Sequence, residues 1–164
     1  SSRRDMSVLR VVWGSAHGPT AMSAYDAALA DGNIHNYHLV TVSSVIPAGP
    51  PLEVVGTAPD LGPAGNKLTV VQSKATLAPG EEGPAVAGIG WARSESGRGI
   101  FYEATGEDPR AVRAMLEDGL AAGRELREWE FIDENTLVRE ASGSENAHTA
   151  LVVCAVYGES TPLV

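Results

Sequence analysis

Two adjacent serines, Ser43 and Ser44, follow the apolar run YHLVTV and stand shortly before Pro47. A serine hydroxyl can attack the carbonyl carbon of the preceding residue and convert the amide into an ester, if a turn brings the two together and donors stabilise the oxyanion. β-Elimination of that ester would cut the chain after Ser43, and the dehydroalanine left at position 44 would hydrolyse to a pyruvoyl group. On spacing alone the pair is more typical of serines that end a strand, so both interpretations stay open.

The other side chains that commonly carry catalysis form no recognisable site. The four histidines are scattered; His35 and His38 would lie in a loop and a strand and share no helical face, so no metal site is expected. Gly88 and Gly90 lie in a strand without the following helix of a dinucleotide-binding fingerprint. Cys154 lies in the apolar run ALVVCAV and is expected to be an inert buried thiol.

Length and composition narrow the class of protein. A chain of 164 residues with 43% hydrophobic content suits one compact domain. The formal net charge of −9 argues against a nucleic-acid partner and is compatible with a cationic small molecule. No apolar run is long enough for a membrane span, and residues 1–10 lack the apolar segment of a secretory signal. The single cysteine excludes an intramolecular disulfide and favours a reducing cytoplasm.

Two helices are expected to position the candidate residues. The first covers residues 21–30, because Thr20 can cap its start and Gly32 can stop it. The second begins with Asp108 as N-cap and Pro109 at the first helical position. The apolar residues at helical spacing are Met22, Tyr25 and Leu29 in the first helix and Val112, Met115, Leu116 and Leu120 in the second.

Short β-rich runs predict the strands that surround these helices. Residues 47–65 are rich in proline and glycine and are expected to form a long irregular excursion. The order β-α-β, several strands, α and β-β is typical of an α+β fold, an α/β sandwich with helices packed on a mainly antiparallel sheet. The predicted strands cover residues 9–13, 36–44, 67–77, 85–93 and 99–104, followed by two more around a polar turn near Gly143.

The stretch SAYDAALADGNIHNYHLVTVSSVIPAG resembles the pyruvoyl-dependent arginine decarboxylases. In that family a helix with the pattern F/Y-D-x-A-L leads into N-x-N-L-x-x-x-S-S-x-x-P-P. The resemblance continues in GIFYEATGED, with Glu103 at the place of the family's acidic residue, and through AVRAMLEDGLAAGRELREWEF to ALVVCAVYG, so it covers residues 8–158. The residues that match the first two patterns are Asp26, Ala28, Leu29, Asn36, Leu39, Ser43, Ser44 and Pro47.

The resemblance implies the fold of a pyruvoyl-dependent decarboxylase and a role for each matched residue. Ser44 would become a covalent pyruvoyl cofactor through self-cleavage between Ser43 and Ser44, and the ketone would form a Schiff base with an amino acid's α-amine. Glu103 would return a proton to the carbanion left by decarboxylation. Asp26 would pair with the cationic end of the substrate. The other residues implied at the substrate are Leu29 and Val45.

The implied activity is that of a carboxy-lyase that converts arginine to agmatine and CO2, a step of polyamine biosynthesis. The resemblance further implies a cytoplasmic homotrimer of cleaved protomers, or a multiple of it, with each active site at a subunit interface. A single domain is expected over residues 8–158, between an N-terminal tail over 1–7 and a C-terminal tail over 159–164.

This chain departs from the family pattern at two positions and in one segment. Six residues before Ser44 the family usually has an asparagine that assists self-cleavage, and this chain has His38. An imidazole can donate a hydrogen bond to the Ser43 carbonyl or act as a base toward Ser44, so His38 is a further candidate catalytic residue. Ala48 replaces the second proline of the turn, and the small residues of segment 49–67 leave the substrate open. The alternatives are the same chemistry on another amino acid or specialised metabolite, and a non-cleaving homologue that acts as a binding or regulatory subunit.

Overall fold

The computed structural model describes residues 8–164, and the predicted tail over residues 1–7 lies outside this range. The described part folds as four layers: a helix, a sheet, a second sheet and a second helix. No helix within residues 8–164 is long and apolar enough to cross a membrane. The elements are β1 (Leu9–Gly18), α1 (Ala21–Asp31), β2 (His38–Thr41), β3 (Val45–Ile46), β4 (Leu52–Gly56), β5 (Lys67–Leu77), β6 (Ala85–Ser94), β7 (Gly99–Gly106), α2 (Pro109–Glu125), β8 (Phe131–Ala141) and β9 (His148–Tyr157).

The strands divide between two sheets. The first sheet has the order β2-β5-β9-β1-β4, and the second has the order β3-β7-β6-β8. Most neighbours are antiparallel, while β1 pairs with β4 and β2 pairs with β5 in parallel. The predicted α+β sandwich with mainly antiparallel pairing is therefore confirmed, with two sheets where a single sheet was expected.

The continuous apolar run of β9 explains why the sheets stack. Because side chains alternate across a strand, Val152, Cys154 and Val156 join the core under α1, while Leu151 and Val153 join the core between the sheets. A strand that is buried on both faces needs a layer on each side. The helix α2 covers the outer face of the second sheet through Val112, Leu116 and Leu120.

The helix caps lie where the sequence predicts them. The Thr20 side chain accepts a hydrogen bond from the Ser23 backbone N–H at 3.0 Å, and Gly32 caps the end of α1. The Asp108 carboxylate accepts from the backbone N–H of Arg110 at 3.1 Å. These local hydrogen bonds satisfy backbone donors that the first helical turn leaves unpaired, so the start of each helix can be predicted from local sequence.

Four expectations differ from the structure, and the first is the strand predicted over residues 36–44, which spans only His38–Thr41. The side chains of Met22 and Met115 are 75% and 48% exposed, so neither belongs to the buried stripe of its helix. The strand β1 extends to Gly18 because β9 pairs with it along its whole length. Residues 47–65 are not wholly irregular: Leu52–Gly56, a run free of proline, forms β4 at the edge of the first sheet.

Candidate active site

The serine pair lies where the chain crosses from one sheet to the other. The strand β2 is an edge of the first sheet, and β3 is an edge of the second. Val42 still belongs to the first sheet, since its N–H donates to the carbonyl of Val70 on β5 at 3.0 Å. Ser44 already belongs to the second, since its carbonyl accepts from the N–H of Phe101 on β7 at 2.8 Å. Ser43 alone therefore spans the gap, and its bond to Ser44 is fixed from both sides.

A tight turn is centred on Ser44. The Val45 N–H donates to the Ser43 carbonyl oxygen at 3.0 Å, which closes a three-residue turn. The Ser43 carbonyl is the group that the Ser44 hydroxyl would attack, and negative charge would develop on its oxygen. A backbone donor aimed at that oxygen is the arrangement that stabilises an oxyanion.

The segment after Ser44 pairs with β7 of the second sheet and is also held by Tyr157 of β9 in the first sheet. The Val45 carbonyl accepts a hydrogen bond from the Tyr157 hydroxyl at 2.9 Å, and the Ile46 side chain is fully buried. The Tyr157 ring packs edge-on against Phe101 with ring centroids 6.0 Å apart. Burial raises the pKa of Tyr157 to about 12, so its hydroxyl remains a donor at neutral pH. The side chain of Val45 is left 50% exposed beside the serine pair.

A cavity opens immediately beyond the crossover, between two unpaired strand edges. Among residues 8–164, no strand pairs with the outer edge of β5 beyond Val70 or with that of β7 beyond Phe101. The Ser73 hydroxyl donates to the Ala104 carbonyl at 2.9 Å and ties the two edges together. The cavity has a volume of about 380 Å³ and is lined by Gln72, Ser73 and Lys74 from β5 and by Glu103, Ala104 and Thr105 from β7.

Glu103 lies on the same edge as the anchor of Ser44. It follows Phe101 by two residues, which corresponds to roughly 7 Å along a strand, and its side chain points to the same side of β7. Partial withdrawal from water raises the pKa of the Glu103 carboxyl above its usual value. Burial raises the pKa of the Cys154 thiol to about 12, and the charge of Glu103 adds to that shift. The predicted buried, inert Cys154 is confirmed as a free buried cysteine.

Within one chain, Glu103 lies two residues along β7 from the anchor of Ser44, with Val45 next to the serine pair, whereas Asp26 and Leu29 lie elsewhere. Asp26 is exposed on α1, on the outer side of the first sheet. Leu29 is 6% exposed and belongs to the core between α1 and that sheet. Their predicted contacts with substrate stay predictions.

His38 does not reach the serine pair within one chain. It begins β2, where its N–H donates to the Asn66 carbonyl at 2.8 Å. Its Cα lies three residue steps from that of Thr41, roughly 10 Å along the strand, and Ser43 lies further on. The predicted assistance of His38 in cleavage therefore requires a neighbouring copy of the chain and stays a prediction.

Several groups at this site were not identified from the sequence. The Tyr157 hydroxyl binds a carbonyl that is distant in the sequence. The Val45 N–H is a backbone group, and residue types alone do not indicate its role. The polar triplet Gln72-Ser73-Lys74 interrupts the apolar strand β5 and was the available signal for the facing wall of the cavity.

Comparison with known proteins is consistent with this geometry. The sequence model of the family described as pyruvoyl-dependent arginine decarboxylase (PvlArgDC) matches residues 8–162. The protein named pyruvoyl-dependent arginine decarboxylase from Halobacterium salinarum is 46% identical over 160 residues, which are 96% of this chain and 98% of that protein. The proteins of the same name from Pyrococcus horikoshii and Methanocaldococcus jannaschii are 34% and 30% identical, over 77% and 76% of this chain and 82% and 74% of theirs.

The site combines a serine pair at a strand crossover with an acid two residues along β7 from the anchor of Ser44. The chain belongs to the pyruvoyl-dependent arginine decarboxylase family. The residues present fit the pyruvoyl group that this family uses. Ser44 has donors on the carbonyls at both ends of the reacting segment: the Val45 N–H on the Ser43 oxygen and the Phe101 N–H on its own.

Proposed function

We propose that this protein decarboxylates arginine to agmatine and CO2, using a pyruvoyl group formed from Ser44 by self-cleavage of the Ser43–Ser44 bond. One observation carries the proposal: the chain crosses from the first sheet to the second at this peptide bond, on the edge where Glu103 lies, and its carbonyl already accepts the Val45 N–H. The cleavage step and the individual roles below rest on this geometry and on family membership.

Maturation requires no group beyond the chain and water. The Ser44 hydroxyl oxygen bonds to the Ser43 carbonyl carbon, the C–N bond breaks, and the proton moves to the freed amine, which gives an ester. A base removes the Ser44 α-proton, the ester C–O bond breaks, and Ser43 leaves as a carboxylate. Water then replaces the amine of residue 44 with a ketone oxygen and releases ammonia. The Val45 N–H would stabilise the oxyanion of the first step.

The chain's own residues then shape the decarboxylation. When formed, the pyruvoyl group supplies a ketone that takes up the substrate's α-amine and withdraws electrons as the carboxylate leaves. The Phe101 N–H polarises the carbonyl of residue 44, next to that ketone. Glu103 holds a proton for the substrate's α-carbon, and its raised pKa keeps that proton available at higher pH than an ordinary glutamate would.

We also propose that the complete site forms between copies of the chain, in a homotrimer or a multiple of it. Asp26, suited to the planar guanidinium of arginine, does not contact the serine pair or Glu103 within one chain. Exposed apolar side chains flank the crossover, which favours a protein surface there over water. They are Val40, Val42 and Val45, which are 42%, 36% and 50% exposed.

A cytoplasmic location accompanies this proposal. The single cysteine is buried and free, as is common in proteins of a reducing compartment. This observation supports the cytoplasmic location that the sequence predicts.

A panel of amino-acid substrates tests the proposed function, together with a variant that removes the charge of Asp26. Purified protein should release CO2 from arginine and form agmatine. Borohydride added together with arginine should abolish turnover and attach substrate-derived mass to the fragment that begins at position 44. An intact chain that shows no turnover would contradict the proposal and favour a non-cleaving binding or regulatory subunit.

Asp26→Asn should raise KM for arginine by roughly 10- to 100-fold, because a hydrogen bond to a charged group contributes about 1.5–3 kcal/mol. Any slow turnover of neutral amino acids should change little. The control is Asp118→Asn, an equally exposed aspartate on α2. Equal losses for arginine and for neutral amino acids would contradict the guanidinium role of Asp26.

A further inference from the structure

The β5 edge of the cavity is polar, although the fold does not require polar residues there. Gln72 and Lys74 lie on β5, whose neighbouring residues Val70, Val71 and Ala75 are apolar. The chain has 12 lysines and arginines, and Lys74 is one of just two lysines. Neither Gln72 nor Lys74 has a role in the cleavage or the proton transfer described above.

Tyr25 on α1 holds both of these side chains in place. Its hydroxyl donates to Oε1 of Gln72 at 2.7 Å, which leaves the amide N–H groups of Gln72 free to donate elsewhere. The Nζ atom of Lys74 lies 4.5 Å from the centroid of the Tyr25 ring, within cation–π range. Burial raises the pKa of Tyr25, so its hydroxyl stays a donor.

The two edges that border the cavity have opposite electrostatic character. The β7 edge carries the Glu103 carboxyl on the side that faces the first sheet, and the open edge of β5 carries an amide donor and an ammonium group whose stems lie on the α1 face of that sheet. Both walls begin two residues beyond the crossover, since Gln72 follows Val70 and Glu103 follows Phe101. A substrate attached through its α-amine at position 44 would reach this space with its α-carbon and α-carboxylate. Repulsion from Glu103 and attraction from the donors direct the carboxylate to β5.

We propose that Gln72 and Lys74 form the subsite for the substrate's α-carboxylate, with Tyr25 as the residue that positions them. The proposal rests on the proposed function, because it assumes an amino-acid substrate joined at Ser44. It assigns the recognition of the two ends of the substrate to different residues: the carboxylate to Gln72 and Lys74, and the cationic end to Asp26.

Such a subsite should affect substrate binding more than the chemical step. An interaction with the carboxylate that exists before decarboxylation stabilises the bound substrate at least as much as the transition state, in which charge leaves the carboxylate. Loss of Lys74 should therefore raise KM for arginine while kcat stays within about 2-fold of the wild type or rises.

Equilibrium binding provides a readout that does not depend on turnover. Cleaved protein that is treated with borohydride before any substrate is added carries an alcohol in place of the ketone at position 44, so arginine stays intact during titration calorimetry on the matured protein. Agmatine is the comparison ligand because it differs from arginine by the carboxylate alone. Lys74→Met should weaken arginine binding by about 10-fold and leave agmatine binding unchanged or tighter, since agmatine carries no negative charge. Lys67→Met is the control: Lys67 lies on the same strand, away from the cavity, and should change neither ligand.

Two conservative variants separate recognition from packing. Gln72→Leu keeps the volume of the side chain and should also weaken arginine selectively. Tyr25→Phe keeps the ring beneath Lys74, loses the hydrogen bond to Gln72, and should give a smaller selective loss. An unchanged arginine affinity in Lys74→Met, or an equal loss for arginine and agmatine, would overturn the subsite. A wild-type protein that cleaves but releases no CO2 from arginine would instead overturn the proposed function.

Discussion

At the residue scale, the partial loss of hydration at Glu103, whose side chain stays exposed at the cavity, links the stability of the protein to its activity. Its pKa is raised because the carboxylate form loses hydration beside the cavity, so the folded protein disfavours the charged form. Below the usual pKa of a glutamate the group is neutral in both the folded and the unfolded chain and destabilises neither. As pH rises through the raised pKa, the unfolded chain is favoured, because its glutamate ionises freely. The charge is thus retained at a cost to stability, as is common at active sites.

Glu103→Gln should therefore abolish most activity without destabilising the fold. We expect kcat to fall by about 10²- to 10⁴-fold, the usual contribution of a positioned proton donor. At pH 7 the melting temperature should equal or exceed that of the wild type, and the difference should vanish near pH 4. Thermal unfolding at both pH values, with CO2 release assayed in parallel, measures both effects.

The neighbouring acid Glu107 provides the control, because it is exposed at the loop before α2 and does not line the cavity. Glu107→Gln should leave kcat unchanged. A Glu103→Gln variant with near wild-type kcat would contradict the role of Glu103 as proton donor.

At the scale of elements, the close approach of α1 to β1 holds the helix that carries Tyr25 and Asp26. Gly14 on β1 makes this approach feasible, because a methyl group there would overlap the carbonyl oxygen of Ala28 and crowd Asp31. The buried residues of α1 are mostly small for the same reason, and Ala24 and Ala28 are completely buried. This explains why Met22 lies on the outer face, although its spacing predicted a buried position.

Gly14→Ala should destabilise the protein by about 1–3 kcal/mol, the usual cost of overpacking a close contact. Urea unfolding measures the change. Gly32→Ala serves as its control at the same contact, because its backbone is right-handed helical and a methyl group there would lie 3.3 Å from the Trp13 carbonyl oxygen. The control should lose less than about 1 kcal/mol. Equal losses in the two variants would contradict the assignment of Gly14 as the point of closest approach.

The sequence predicts the elements better than their arrangement. Thr20 and Asp108 predict the starts of the two helices correctly, because N-capping depends on a few adjacent residues. The serine pair and Glu103 were identifiable through family resemblance, but their proximity depends on the long-range pairing of Ser44 with Phe101. The division into two sheets was not predictable, because a run of apolar residues reads the same whether a helix or a second sheet covers each face.

At the scale of the whole molecule, the net charge of −9 is distributed over 164 residues. Such a charge opposes compaction and close approach of copies of the chain, while it attracts a cationic substrate. Within residues 8–164, Arg124 and Glu134 form the one ion pair between side chains. Most acidic side chains among these residues therefore have no basic partner within salt-bridge distance.

Added salt should accordingly stabilise the protein. Raising KCl from about 0.1 M to about 1 M shortens the Debye length from about 10 Å to about 3 Å and screens this repulsion. The melting temperature at pH 7 should rise over this range, and the rise should largely disappear near pH 4.8, where the net charge is close to zero. A melting temperature that falls with KCl at pH 7 would contradict a stability limited by acidic repulsion.

The proposed activity depends on the bond between Ser43 and Ser44 breaking and leaving a ketone at position 44. Intact mass spectrometry of the purified protein under denaturing conditions tests it most directly. Two fragments should appear, one ending at Ser43 and one beginning at position 44 without an N-terminal amine. Their summed mass should equal that of the uncut chain with one water added and one ammonia lost. A single uncut chain, or a second fragment that begins with an ordinary serine amine, would contradict the account.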